Sequence, residues 1–168
     1  MARADWLEAG AAVLAGGGAA ALTIERLCVL TGRTKGSFYH HFKAMGGFED
    51  ALLGHWAEAN AERVAVAERD GADDRDALDR LALGLEAGLE TAVRRWAAVH
   101  DGARRAVAQV DALRIAFLAG LHRNVPQDRA DDLARLEYAA FLGLLTLVRD
   151  AEELERLMAL LRRGLEKA

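Results

Sequence analysis

The sequence predicts an all-α fold, and three observations carry that reading. Alanine, leucine, glutamate and arginine dominate the 168 residues while β-branched residues are sparse, which favours helix over strand. A single proline, Pro126, leaves the rest of the chain free to run as helix. Apolar residues recur at i, i+3, i+4 and i+7 along most of the length. At 52% hydrophobic and 29% charged, the chain has an ordinary globular balance, enough for one or two small helical units around a sizeable core.

The elements follow in order. Asp5, with Glu8 three residues on, reads as the capped start of a first helix whose Trp6, Gly10, Val13 and Leu14 share one face. Gly16, Gly17 and Gly18 end it. Thr23 is an N-cap for a short second helix that turns Ile24, Leu27 and Cys28 inward. Thr31-Gly32-Arg33 is a tight turn in which Gly32 can take a positive φ. Thr34 then caps a third helix running to about Lys43, and Ala44 to Gly47 make a brief break. A long helix is expected over about 47–69, a loop over 70–74, a helix over 76–95, and an interruption at His100-Asp101-Gly102. Helices over 103–123, 128–149 and 151–165 complete the chain.

Cys28 is the only cysteine, so no intrachain disulfide and no cysteine-rich metal site is expected. The uncharged stretch from Ala9 to Ile24 is broken by Gly10 and by Gly16 to Gly18, and no cationic leader with a cleavage site precedes it. The expectation is a soluble, cytoplasmic protein with no membrane partner. A net charge of −4 argues, as an average, against a nucleic-acid binder. The average hides an asymmetry. Residues 1–45 carry five basic and three acidic groups, net +2, and the remaining 123 carry 17 and 23, net −6.

Within residues 23–42 the pattern is helix, three-residue turn, helix. Phe38 and Phe42, four apart, belong to the inward face of the third helix. Gly36, Tyr39, His40 and Lys43 follow an i, i+3, i+4, i+7 pattern and share an outward stripe, with Lys35 beside them. A basic, aromatic stripe on a short helix that begins at a turn is suited to a DNA groove. Its lysines neutralise phosphates or donate to guanine, and its hydroxyls bond phosphate oxygens. The plainer alternative is a helical hairpin with a solvated basic face.

Residues Thr23 to Lys43, with their threonine-led helix, glycine turn and Lys35-Gly36-Ser37-Phe38-Tyr39-His40-His41-Phe42 run, resemble the helix-turn-helix of the TetR family of transcriptional regulators. The similarity extends over about residues 5–60. It implies a helix-turn-helix DNA-binding domain over residues 1–46 and a helical ligand-binding and dimerisation domain over 47–168. It further implies that Thr23, Thr34, Ser37, Tyr39 and His41 contact phosphate, that Lys35, Gly36 and His40 face base edges, and that Lys43 adds a phosphate contact. The chain departs from the family pattern at three positions. Arg33 replaces an apolar turn residue and points to solvent or DNA. Cys28 replaces a small alanine, and Met45 replaces the lysine usual at the start of the fourth helix.

Farther along, Glu90 to Ala97 and Val110 to Arg114 are also similar to a common pattern of the family. The resemblance implies a pocket for a small-molecule effector, with Trp56, Trp96, Phe117, Tyr138 and Phe141 as candidate lining, although large apolar residues at helical spacing also serve as plain core. Two leucine stripes mark the last helices: Leu133, Leu136, Ala140, Leu144 and Leu147, then Leu154, Leu157, Leu161 and Leu165. They either join two subunits in a four-helix interface or fill the monomer core. Gly143 would allow close helix approach there.

An enzyme is not expected. His40, His41, His55, His100 and His122 contain no i, i+4 pair, Cys28 has no base in view, and no phosphate-binding glycine loop occurs. His55, His100 and His122 read as surface or capped side chains, and Arg94, Arg95, Arg104 and Arg105 as a solvated face. No metal and no cofactor is implied. The expected function is a homodimeric transcriptional regulator, a repressor that binds a pseudo-palindromic double-stranded operator and answers to a small molecule. The alternative is a ligand-binding or protein-interaction bundle that has lost DNA binding.

Overall fold

The structure, a computed structural model, describes residues 3–69, 87–148 and 150–165. Among them are eight α-helices and no strand: α1 (Arg3–Gly17), α2 (Ile24–Thr31), α3 (Lys35–Phe42), α4 (Met45–Arg69), α5 (Ala87–Ala97), α6 (Asp101–Leu121), α7 (Gln127–Leu147) and α8 (Ala151–Leu165). The expected loop over 70–74 and the first part of the expected helix over 76–95 lie outside the described residues.

Most helix ends fall close to their sequence signals. The first helix is the main exception, since it begins at Arg3 and takes Asp5 into its first turn. An acidic residue is favoured there by the helix dipole as well as by capping, so the same signal serves two positions. Gly16 and Gly17 stay helical, and the chain turns only at Gly18, whose φ is 70°. A single 3-10 turn, Ala19–Ala21, follows. The fourth helix begins at Met45, two residues earlier than the glycine pair suggests. The sixth begins at Asp101 because His100 caps it, its Nδ1 accepting from Ala103 N–H at 3.1 Å.

The described chain forms two compact units. The first takes in residues 3–60 and 87–109. Trp6, Val13, Leu14, Leu27, Phe38, Phe48 and Leu52 are buried at its centre. The α1 helix packs against α2 and α5, and α2 packs against α3. Gly10 is a notch for an aromatic ring: a Cβ there would stand 2.5 Å from Phe48 Cζ. Trp6 meets Phe38 edge-on at 5.5 Å, and Phe42 meets Phe48 edge-on at 5.1 Å. Such pairs add about 0.5–1.5 kcal/mol each beyond simple burial.

The second unit takes in residues 61–69, 110–148 and 150–165. Leu118 and Ala119 of α6, Ala134, Tyr138 and Phe141 of α7, and Met158 of α8 form its main core. Val64, Ala67 and Phe117 form a smaller one. Two polar groups are built into this unit. Tyr138 donates to Asp111 Oδ1 at 2.6 Å and accepts from Arg114 Nη1 at 2.9 Å. Glu137, 3% exposed, accepts from Arg162 Nε at 2.7 Å, with His122 Nε2 at 3.5 Å from its other oxygen.

The leucine stripes divide in a way their spacing left open. On α7 the buried face is Ala130, Leu133, Ala134, Glu137, Tyr138 and Phe141; of the predicted stripe, Leu133 belongs to it and the partly buried Leu144 packs against the same core. Leu136 and Leu147 are 58% and 80% exposed. On α8, Leu154 and Leu161 pack against the unit's own core, while Leu160 is 60% exposed. A Cβ at Gly143 would meet nothing within 4 Å.

Candidate nucleic-acid interface

The helix-turn-helix is fixed by two threonine caps and one glycine. Thr23 Oγ1 accepts from Arg26 N–H at 3.2 Å and opens α2. Gly32 closes it in the left-handed conformation at φ 64°, with Arg33 N–H bonded to Cys28 O at 3.0 Å. Thr34 Oγ1 accepts from Ser37 N–H at 3.3 Å and opens α3. Each threonine uses one lone pair of its hydroxyl on its cap, and that bond leaves the O–H itself uncommitted as a donor.

The orientation of α3 is set from beneath. Phe38 is fully buried and Phe42 nearly so, and both pack on Phe48 at the start of α4. With that face anchored, Lys35, Gly36, Tyr39, His40 and Lys43 are all exposed. Tyr39 keeps 49% of its surface in solvent. Ser37 and His41 are half-buried on the flank, and Thr23, Arg33 and Thr34 are exposed around the turn. Cys28 is a half-buried free thiol, and Met45 is half-buried at the head of α4.

Lys43 carries an unusual backbone. It closes α3 at φ 60° and ψ −42°, donating its N–H to Tyr39 O at 3.1 Å. Among the described residues it is the one non-glycine with positive φ. That conformation costs a side-chain-bearing residue roughly 1–3 kcal/mol.

Two charged residues join the interface that periodicity did not reveal. Arg3 of α1 lies over the Phe42 ring, its Cζ 5.4 Å from the centroid. Glu25 of α2 accepts a hydrogen bond from Lys35 Nζ. That bond holds the Glu25 carboxyl below the usual carboxylate range and pushes the Lys35 ammonium above the usual lysine value. Neither contact follows a helical spacing, because each joins separate elements. Glu25 carried one sequence signal: no other acidic residue occurs between Glu8 and Glu49.

The candidate effector-lining residues are all buried and are divided between the two units. Tyr138 and Phe141 share the main core of the second unit, and Phe117 belongs to its smaller cluster. Trp56 and Trp96 belong to the first unit, where the Trp96 ring lies against the His100 ring, tilted by 35° with centroids 4.6 Å apart. Tyr138 is also bound on both sides by Asp111 and Arg114, a polar role its apolar spacing did not suggest. Within the arginine cluster, Arg94 departs from a solvated face by bonding the buried Glu90 at 2.7 Å. Among the described residues no cluster of His, Cys, Asp and Glu is arranged to hold a metal ion, and no helix is long and apolar enough to cross a membrane.

No family model matches the chain, and no curated protein matches it. Solved structures do. A protein described as a TetR/AcrR-family transcriptional regulator superposes with a TM-score of 0.74 at 24% identity, over 98% of this chain and 94% of its own. NemR of E. coli in its reduced form gives 0.76 at 22%, over 96% and 95%. A protein described as a TetR-family transcriptional regulator, from Rhodococcus sp., gives 0.65 at 20%, over 92% of each chain. With the two capped helices, the glycine turn and the helices that follow, the chain has the all-α fold of the TetR/AcrR-family regulators.

Proposed function

We propose that this chain is a sequence-specific DNA-binding transcriptional regulator of the TetR family. The observation that carries the reading is the outward stripe of α3. Lys35, Gly36, Tyr39, His40 and Lys43 face solvent because Phe38 and Phe42 are locked beneath them. Lys35, Gly36 and His40 face base edges, while Thr23, Thr34, Ser37, Tyr39, His41 and Lys43 hold phosphates, with Arg33 beside them at the turn. The protein acts in the cytoplasm as a homodimer through α7 and α8, on a pseudo-palindromic operator. Its two recognition helices are then spaced by about one helical turn, roughly 34–36 Å. It is a repressor whose operator affinity falls when a small apolar or amphipathic molecule binds the helical body and favours one of two conformations.

The test is selection of duplexes from a random library by the purified protein, followed by gel shift. The expected result is an inverted-repeat site whose binding weakens steeply with salt. Failure to retain any duplex at low salt would overturn the reading and leave a helical ligand-binding or interaction module in its place.

A further inference from the structure

Glu25 is out of place on a DNA-reading face. It is the sole acidic residue across positions 9–48, and it stands exposed on α2 against the first residue of the recognition helix. Its side chain and that of Lys35 are 67% and 59% exposed, so the contact is neither forced by burial nor needed to satisfy a buried charge. The α2 helix already has its cap in Thr23, and α3 in Thr34. What the pair does accomplish is to occupy the ammonium that a DNA phosphate would otherwise take.

We propose that Glu25 is an intramolecular stand-in for a DNA phosphate, which neutralises Lys35 in the free protein and thereby suppresses binding to non-operator DNA. This rests on the DNA-binding reading above. On DNA of arbitrary sequence, Lys35 exchanges one anion for another, while the released Glu25 is left facing the phosphate backbone. The net electrostatic gain from that lysine is close to nothing. On the operator, Lys35 gains directed contacts that random sequence does not supply, and the exchange becomes favourable. A repulsive element of this kind sharpens discrimination by weakening the wrong complex more than the right one.

The experiment compares the wild type, Glu25→Gln, Lys35→Gln and the double variant on two duplexes, the selected one and a scrambled one of equal length. Both side chains are exposed, and thermal melts verify that each variant folds. Glu25→Gln is expected to tighten binding to the scrambled duplex about three- to tenfold at low salt, and binding to the selected duplex by less. Its log–log salt slope on scrambled DNA should steepen by about 0.9, the value of one additional phosphate contact. In the Lys35→Gln background the effect should shrink markedly.

An unchanged or weaker affinity for scrambled DNA in Glu25→Gln overturns the proposal. So does an effect of equal size with and without Lys35, because Glu25 would then repel DNA on its own rather than by holding the lysine. A DNA-independent measurement separates the two readings. The Glu25 carboxyl, titrated by NMR, should rise in pKa in Lys35→Gln, and no rise overturns the pairing. If the pairing is present and the wild type binds no duplex at all, the DNA-binding reading itself has failed, and this proposal with it.

Discussion

Lys35 and Tyr39 owe their exposure to two rings on the far side of the same helix. Phe38 and Phe42 take the inward positions, which turns Tyr39 and His40 outward, while Lys35 stands at the exposed start of the helix. Lys35→Ala should therefore weaken binding to the selected duplex about tenfold while leaving the melting temperature within a degree or two, since the side chain supports no packing. Gel shift and a thermal melt on one preparation check both halves. The ion pair with Glu25 also has a definite pH range. The Glu25 part is full above the unfolded carboxylate pKa and is lost as pH falls through its lowered folded value. The Lys35 part is full below the unfolded lysine pKa and is lost as pH rises through its raised folded value. The pair is thus intact throughout the neutral range, and weaker DNA binding there in response to pH must come from other groups.

The α2–α3 hairpin was legible from its sequence because every signal in it is local. Thr23 and Thr34 act on backbone three residues away, Gly32 acts on its own φ, and Phe38 and Phe42 are neighbours by periodicity alone. Thr34→Ala should cost about 1 kcal/mol of stability and Thr34→Gly only a few tenths, read from denaturant midpoints. Where contacts join distant elements, the sequence offered little. The Tyr138 bonds to Asp111 and Arg114 span 27 and 24 residues, and Arg162 reaches Glu137 across 25. No periodicity encodes such separations. His100 was missed for a different reason: histidine is not a preferred cap, and only the position of Nδ1 against Ala103 N–H reveals the role. On α7, spacing gave one leucine stripe and left open whether it joins subunits or fills the core; the buried face instead runs through Ala134, Glu137, Tyr138 and Phe141 as well as Leu133.

For the protein as a whole, the exposed side of α7 bears on assembly. Leu136, Leu147 and Leu160 leave large aliphatic side chains in water on the last two helices, as the proposed homodimer requires. Light scattering should give a mass near twice 18.2 kDa. Leu136→Asp combined with Leu147→Asp should shift it to the monomer without unfolding the chain, because neither residue belongs to the buried face of α7. Operator affinity should fall with the dimer, since each half-site then binds alone. Charge is distributed in keeping with this. A net +2 in residues 1–45 and −6 in the rest would leave the acidic body repelled by DNA and confine attraction to the head.

Under the proposed function, Lys43 sets fold stability and DNA affinity against each other. Its backbone takes a conformation that glycine accepts at little cost, yet the position carries a long cationic side chain. Lys43→Gly should therefore raise the melting temperature by about 2–4 °C, corresponding to roughly 1 kcal/mol, while lowering affinity for the selected duplex. A programme that evolved this protein for heat resistance alone should find that substitution early and, under the proposed function, lose DNA affinity as it did so. Selection for both properties together should keep the lysine and seek its stability elsewhere in the chain.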